Sequence, residues 1–202
     1  MTHTLSPRVD AKPLRDPAIL VNSADYGAVE ELAATFRRLF SAVPADDPIN
    51  VLAIGSDRTT GDCLGPLVGD FLADSDAFNV YGTLDTPVHA ANLNEIAPEI
   101  TGFTVAIDAA LGDPIGAVSV RPGAISPGAA FGRNLPTLGN VSVSALVCES
   151  GPLGFERLRS VRLGFVREIA RFVADGLLHA VEATPRARPI TSFSSLPPSL
   201  RD

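Results

Sequence analysis

The run Ile49-Asn-Val-Leu-Ala-Ile54 is short, apolar and closed by Gly55, which suits a strand buried on both faces of a parallel sheet. Beyond it the pattern alternates in kind. Leu64 to Leu72 read as a helix that starts near Asp62 or Cys63, with Pro66 tolerated in its first turn. Asn79 to Leu84 form a second strand candidate, His89 to Ile100 a helix interrupted or ended near Pro98, and Phe103 to Ile107 a third strand terminated by Asp108-Ala-Ala-Leu-Gly112. Strand, helix, strand, helix, strand is the signature of a doubly wound α/β domain.

The flanking segments add to that centre. Val29, Leu32, Ala33, Phe36, Leu39 and Phe40 recur at helical spacing between Asp25 and Ser41, with Ser23 or Asp25 available as an N-cap. Ala117 to Arg121 and Val141 to Val147 are strand-like, and the Gly- and Pro-rich stretch from Pro122 to Gly139 is long enough for a functional loop. The apolar stripe from Leu158 to Leu177 predicts one long helix packed across the sheet. Prolines and polar residues mark 1–22 and 183–202 as flexible tails, leaving 23–182 as a single α/β domain.

Composition limits the function classes. The 202 residues are 46% hydrophobic, enough for one substantial core, and the formal net charge is -7. That charge argues against nucleic acid or an anionic membrane surface as partner, because both need clustered Lys and Arg. The two cysteines, Cys63 and Cys148, have neither a disulfide pattern nor zinc-site spacing, so a reducing, cytoplasmic location is expected. The N-terminus lacks a basic start followed by an apolar run, and no uninterrupted apolar stretch approaches about 18 residues, so neither a signal peptide nor a transmembrane helix is expected.

Ligands of open α/β sheets collect beyond the carboxyl ends of the strands. That rule selects the loop after the first strand, which holds Asp57, Arg58 and Asp62, and the third strand, which ends on Asp108. Asp62 and Asp108 in one cleft could share a proton, orient water towards a carbonyl, or bind a divalent metal. Asp62 also has the position of a helix cap. His89 stands at the same edge, either as proton carrier or metal ligand or as an imidazole that caps the following helix. Arg58 pairs with Asp57 or Asp62, or holds a substrate carbonyl or carboxylate. Cys63 reads as a small buried thiol. The loop is no phosphate cradle, since Asp62 occupies the place of the P-loop lysine, and neither a Gly-x-Ser-x-Gly elbow nor an HExxH helix is present.

Together, Ile54-Gly-Ser-Asp-Arg-Thr-Thr-Gly-Asp-Cys-Leu-Gly-Pro-Leu-Val-Gly69 and Tyr81-Gly-Thr-Leu-Asp-Thr-Pro-Val-His-Ala-Ala-Asn-Leu93 resemble the YyaC-type sporulation proteins. Ala106-Ile-Asp-Ala-Ala-Leu-Gly112, Pro127-Gly128, Asn134-Leu-Pro136, Gly139 and Val161-Arg-Leu163 extend the likeness over about 49–178, without the tails or first helix. That family is similar in turn to the spore germination protease and, more distantly, to hydrogenase maturation endopeptidases. The resemblance implies a three-layer α/β/α, phosphorylase/hydrolase-like fold with a mostly parallel sheet. It also implies that Asp62 and Asp108 match the two catalytic aspartates of the germination protease. In the hydrogenase peptidases a histidine downstream of the second carboxylate completes a metal site; here no histidine lies between Asp108 and His179. The segment Cys148-Glu-Ser-Gly-Pro-Leu-Gly154 also departs from the sporulation family's usual turn.

The expected function is therefore an aspartate-dependent endopeptidase linked to sporulation. Asp62 and Asp108 are its catalytic pair, and Asp57, Arg58 and His89 position a peptide or protein substrate. No cofactor is assigned; Asp62, Asp108 and His89 are the candidate ligands for a divalent metal. The alternative is a non-catalytic sporulation or regulatory module that binds a peptide or metal in the same cleft.

Overall fold

The computed structural model describes residues 18–44, 47–127 and 135–182. Six strands form one sheet: β1 (Ile19–Asn22), β2 (Ile49–Ala53), β3 (Phe78–Tyr81), β4 (Phe103–Leu111), β5 (Ala117–Pro122) and β6 (Val141–Cys148). Their order is β1-β5-β6-β4-β2-β3. The four strands β3, β2, β4 and β6 run parallel, and β5 is antiparallel to both of its neighbours. The helices are α1 (Ala28–Phe40), α2 (Leu64–Leu72), the single turn α3 (Leu93–Ile96), α4 (Gly154–Ser160) and α5 (Leu163–Glu182). This is the mixed α/β architecture with a mostly parallel sheet that the alternating pattern predicts.

All five residues of β2 are buried, because both faces of the sheet are covered. The period of two divides them between two cores. Val51 and Ala53, with Val105, Ile107, Val143 and Val147, pack under α1, α2 and α5 through residues such as Leu32, Phe36, Val68, Ile169 and Leu177. Leu52 and Ile54 face the other way, with Ala106, against Val88, Leu93, Ile96 and Ile125. The second layer is thin, since the segment expected as a helix over 89–100 forms only α3 and a 3-10 turn at Ala97–Glu99. Pro98 withholds an N–H donor there.

Three further expectations are corrected. Residues 19–22, assigned to the N-terminal tail, form the edge strand β1, whose Val21 is buried. Residues 1–17 and 183–202 of the tails lie outside the described residues, as does 128–134 of the Pro122–Gly139 loop. The N-cap of α1 is Gly27 in a left-handed conformation, rather than Ser23 or Asp25. The last helix is two: Val161 takes an extended ψ of 139°, separating α4 from α5. The apolar stripe was continuous across that break because both helices pack on the same core. No helix among the described residues is long and apolar enough to cross a membrane.

Gly65 lets α2 lie directly against the end of β2. A Cβ there would sit 2.0 Å from the Ile54 carbonyl oxygen, a backbone atom with no room to yield. Gly65→Ala is expected to cost at least about 2 kcal/mol of stability. Gly164→Ala, on an exposed helical site with nothing within 4 Å of the added methyl, is expected to stabilise by about 0.5–1 kcal/mol. Chemical denaturation of the two variants checks both signs.

Candidate functional site

Two successive connections, on opposite faces of the sheet, open a crevice beside the end of β2. The connection to β3 runs through α2 on one face of the sheet, and the connection from β3 to β4 runs through α3 on the other. The neighbours β2 and β4 therefore flank a topological switch point, where ligands of doubly wound sheets bind. A cavity of about 510 Å³ lies there, lined among others by Arg58, Asp62, His89, Asp108, Ser144 and Phe155.

Asp108 does not end its own strand, as the sequence suggested. β4 continues to Leu111; the strand that ends is β2. The β2/β4 register closes with Ala53 opposite Ile107, and Asp108 is the first residue beyond it, facing Ser144 across β6. Alternation places its side chain on the sheet face of Ala106, Leu52 and Ile54, an apolar setting. Asp108 keeps some accessible surface towards the cleft, yet protein atoms crowd its carboxyl on nearly all sides. Crowding governs solvation here. Burial, with the negative charge of Asp62 adding to it, pushes the Asp108 pKa up to about 8, against the opposing hydrogen bond from the Ala109 N–H.

Asp62 lies in the 3-10 turn Thr60–Cys63 that leads into α2, and is half-buried. The turn is fastened by the Cys63 N–H to the Thr59 carbonyl at 3.0 Å and the Ser56 N–H to the Asp62 carbonyl at 3.2 Å. Neither Thr59, the N-cap of the turn, nor Cys63, the N-cap of α2, makes a side-chain cap bond. Asp62 itself lines the cleft. Gly55 makes the loop possible: its φ is 150°, and a Cβ would stand 2.0 Å from the Asp62 carbonyl oxygen.

The remaining predicted residues divide. Arg58 is exposed on the cleft lining, and among the described residues it forms no ion pair with Asp57 or Asp62. Asp57 is exposed and does not line the cleft. Burial pushes the Cys63 thiol up, helped by the charges of Asp57, Asp62 and Asp70, so it is an inert thiol rather than a thiolate. His89 does line the cleft, but its Nδ1 accepts the Ala91 N–H at 3.3 Å, and its own backbone N–H donates to Asn92 Oδ1 at 2.8 Å. It thus shapes the turn into α3, and an acceptor Nδ1 leaves Nε2 as the ring's N–H donor. Among the described residues no group of three or more His, Cys, Asp or Glu is gathered to hold a metal ion. The candidate ligands Asp62, Asp108 and His89 all line the cleft but are not among such a group.

Sequence reasoning missed Ser144 and the apolar walls of Ile125 and Leu135 on one side and Phe155 and Leu158 on the other. Ser144 had a signal: Ser142 and Ser144 alternate with valines along β6, marking one face as less apolar. The walls had none, because distant chain segments bring them together.

The raised Asp108 pKa has a stability consequence. Between the unfolded value near 4 and about 8 the folded state holds a proton that the unfolded chain releases, so this group's contribution falls as pH rises through that window. The loss should be about 1 kcal/mol per pH unit after partial solvent access is discounted. Asp108→Asn is expected to be more stable than the parent at pH 8 and to lose most of this slope, as read by denaturant midpoints from pH 4 to 9.

Comparison with known proteins gives the chain its relatives. It is 39% identical, over 142 residues, to an uncharacterized protein YyaC of Bacillus subtilis, covering 66% of this chain and 69% of that protein. Among solved structures it is similar to a [NiFe] hydrogenase maturation protease, HycI, of Thermococcus kodakarensis, with 19% identity and a TM-score of 0.41, covering 71% of this chain and 99% of that one. A family model described as a protein of unknown function, DUF1256, matches residues 20–176. The match takes in the edge strand and first helix, which the motifs alone had left out. The expected likeness to YyaC is borne out, and the chain belongs to the DUF1256 family.

Proposed function

We propose that the protein hydrolyses peptide bonds with Asp62 and Asp108 as an acid–base pair. One observation carries the reading: two carboxylates line the switch-point cleft in unlike settings, and Asp108 keeps its proton through neutral pH. A protonated Asp108 donates a hydrogen bond to the scissile carbonyl as negative charge grows on its oxygen. Asp62 takes a proton from the attacking water. The tetrahedral intermediate collapses as the leaving amine takes up a proton from the site, and acid and amine products leave. Arg58 at the cleft mouth and the Nε2–H of His89 hold the chain on either side. The motif likeness of both aspartate segments to the spore germination protease supports this chemistry, and the YyaC relationship supports a place in sporulation. Arg58 is the one arginine or lysine among the described residues that line the cleft, so a peptide or protein is the substrate class that suits it, and the cysteine usage suits the cytoplasm.

A fluorescence-quenched pool of randomised peptides tests the assignment. Asp62→Asn and Asp108→Asn should each lower turnover by about 100-fold or more with the fold intact, and parental kcat should decline above about pH 8 as Asp108 ionises. Undiminished turnover by the Asp108→Asn protein sinks the assignment.

A further inference from the structure

The end of β2 leaves part of β4 without a neighbour. The Ile54 N–H donates to the Ile107 carbonyl at 2.8 Å, so the polar groups of Ile107 point towards β2, and by strand alternation those of Ala109 and Leu111 do too. The Gly112 N–H donates to the Cys148 carbonyl at 2.9 Å on the opposite side, so the alternation survives the irregularity at Ala110/Leu111. Had β2 continued, the Ser56 N–H would have met the Ala109 carbonyl; it donates instead to the Asp62 carbonyl, and the Gly55 N–H to that of Val88. Among the described residues no backbone group takes up the Ala109 carbonyl or the Leu111 N–H and carbonyl on this edge. The Ala109 N–H is held by the Asp108 carboxyl. Residues 109–111 all line the cleft.

We propose that an extended peptide docks on this edge as an added strand, occupying the place that β2 vacates, with backbone hydrogen bonds to Ala109 and Leu111. The inference deepens the peptidase reading and rests on it for the identity of the occupant. A strand lying in the sheet plane directs alternate side chains to opposite faces. Apolar seats stand on both: Leu158 belongs to the core under α1, α2 and α5, and Ile125 and Leu135 to the core on the other side. The carboxylates are distributed likewise, Asp108 on the Ile125 side, and Asp62 in a turn whose Gly61 lies against Leu158. A peptide bond passing between them is flanked by both. Recognition through the main chain fits a substrate class defined by extended conformation more than by one side chain.

The test uses the full chain carrying Asp108→Asn, isotopically labelled for amide exchange, with two capped randomised octapeptide pools. One pool has ordinary amides; in the other every backbone nitrogen is methylated, which removes strand donors and keeps the side chains. Slowing of Leu111 amide exchange by about threefold or more at two-thirds occupancy, with the ordinary pool alone, is the expected result. Equal effects of both pools, cleft perturbation without protection of Leu111, or no perturbation by either pool overturns the proposal. The parental chain separates this reading from the chemistry: Leu111 protection without cleavage of the ordinary pool keeps the strand docking and removes the hydrolysis. Cleavage without protection does the reverse.

Discussion

The last rung between β2 and β4, from the Ile54 N–H to the Ile107 carbonyl, is the interaction on which the site depends. One residue later the two chains part, because Gly55 adopts a φ of 150° and gives its N–H to Val88 rather than to the sheet. Asp108 becomes a cleft residue only by that divergence. Had β2 continued, Asp108 would be an internal sheet residue between two paired strands, with an unsupported carboxyl against the second core. The close seating of α2 on the Ile54 carbonyl, which Gly65 permits, fixes where the turn with Asp62 must stand.

The price of this arrangement is electrostatic. A carboxyl set among Ala106, Ile54 and Ser144 and near a second carboxylate is easier to keep neutral than ionised. The protein does not relieve the strain with a paired cation on Asp108; the Ala109 N–H is its one opposing influence among the described residues. Such unlike environments for two nearby acids are a recurrent basis for acid–base division of labour.

Local patterns carried much of the fold. The buried run of β2, the period-two valines of β6 and the helical spacing of α1 were legible because one face or both faces of each element meet a core. Errors fell where local pattern and context diverge. A four-residue edge strand has too few residues to show a period, so β1 passed as tail. The break at Val161 was invisible because both helices keep one apolar stripe. His89 lay at the expected edge, but its ring was committed to Ala91 by a turn that sequence spacing left undecided.

By itself the sequence determined the alternation of strands and helices, the two aspartate segments, and the family motifs around them, since these come from periodicity and from residue types that few local geometries tolerate. Only the tertiary structure decided that β2 stops one rung short of Asp108, that Asp57 stands outside the cleft while Ser144 stands within it, and that residues 109–111 present an open edge. Those facts depend on how far neighbouring strands extend relative to one another. Register and relative length belong to pairs of segments distant in the chain, and no single segment records them.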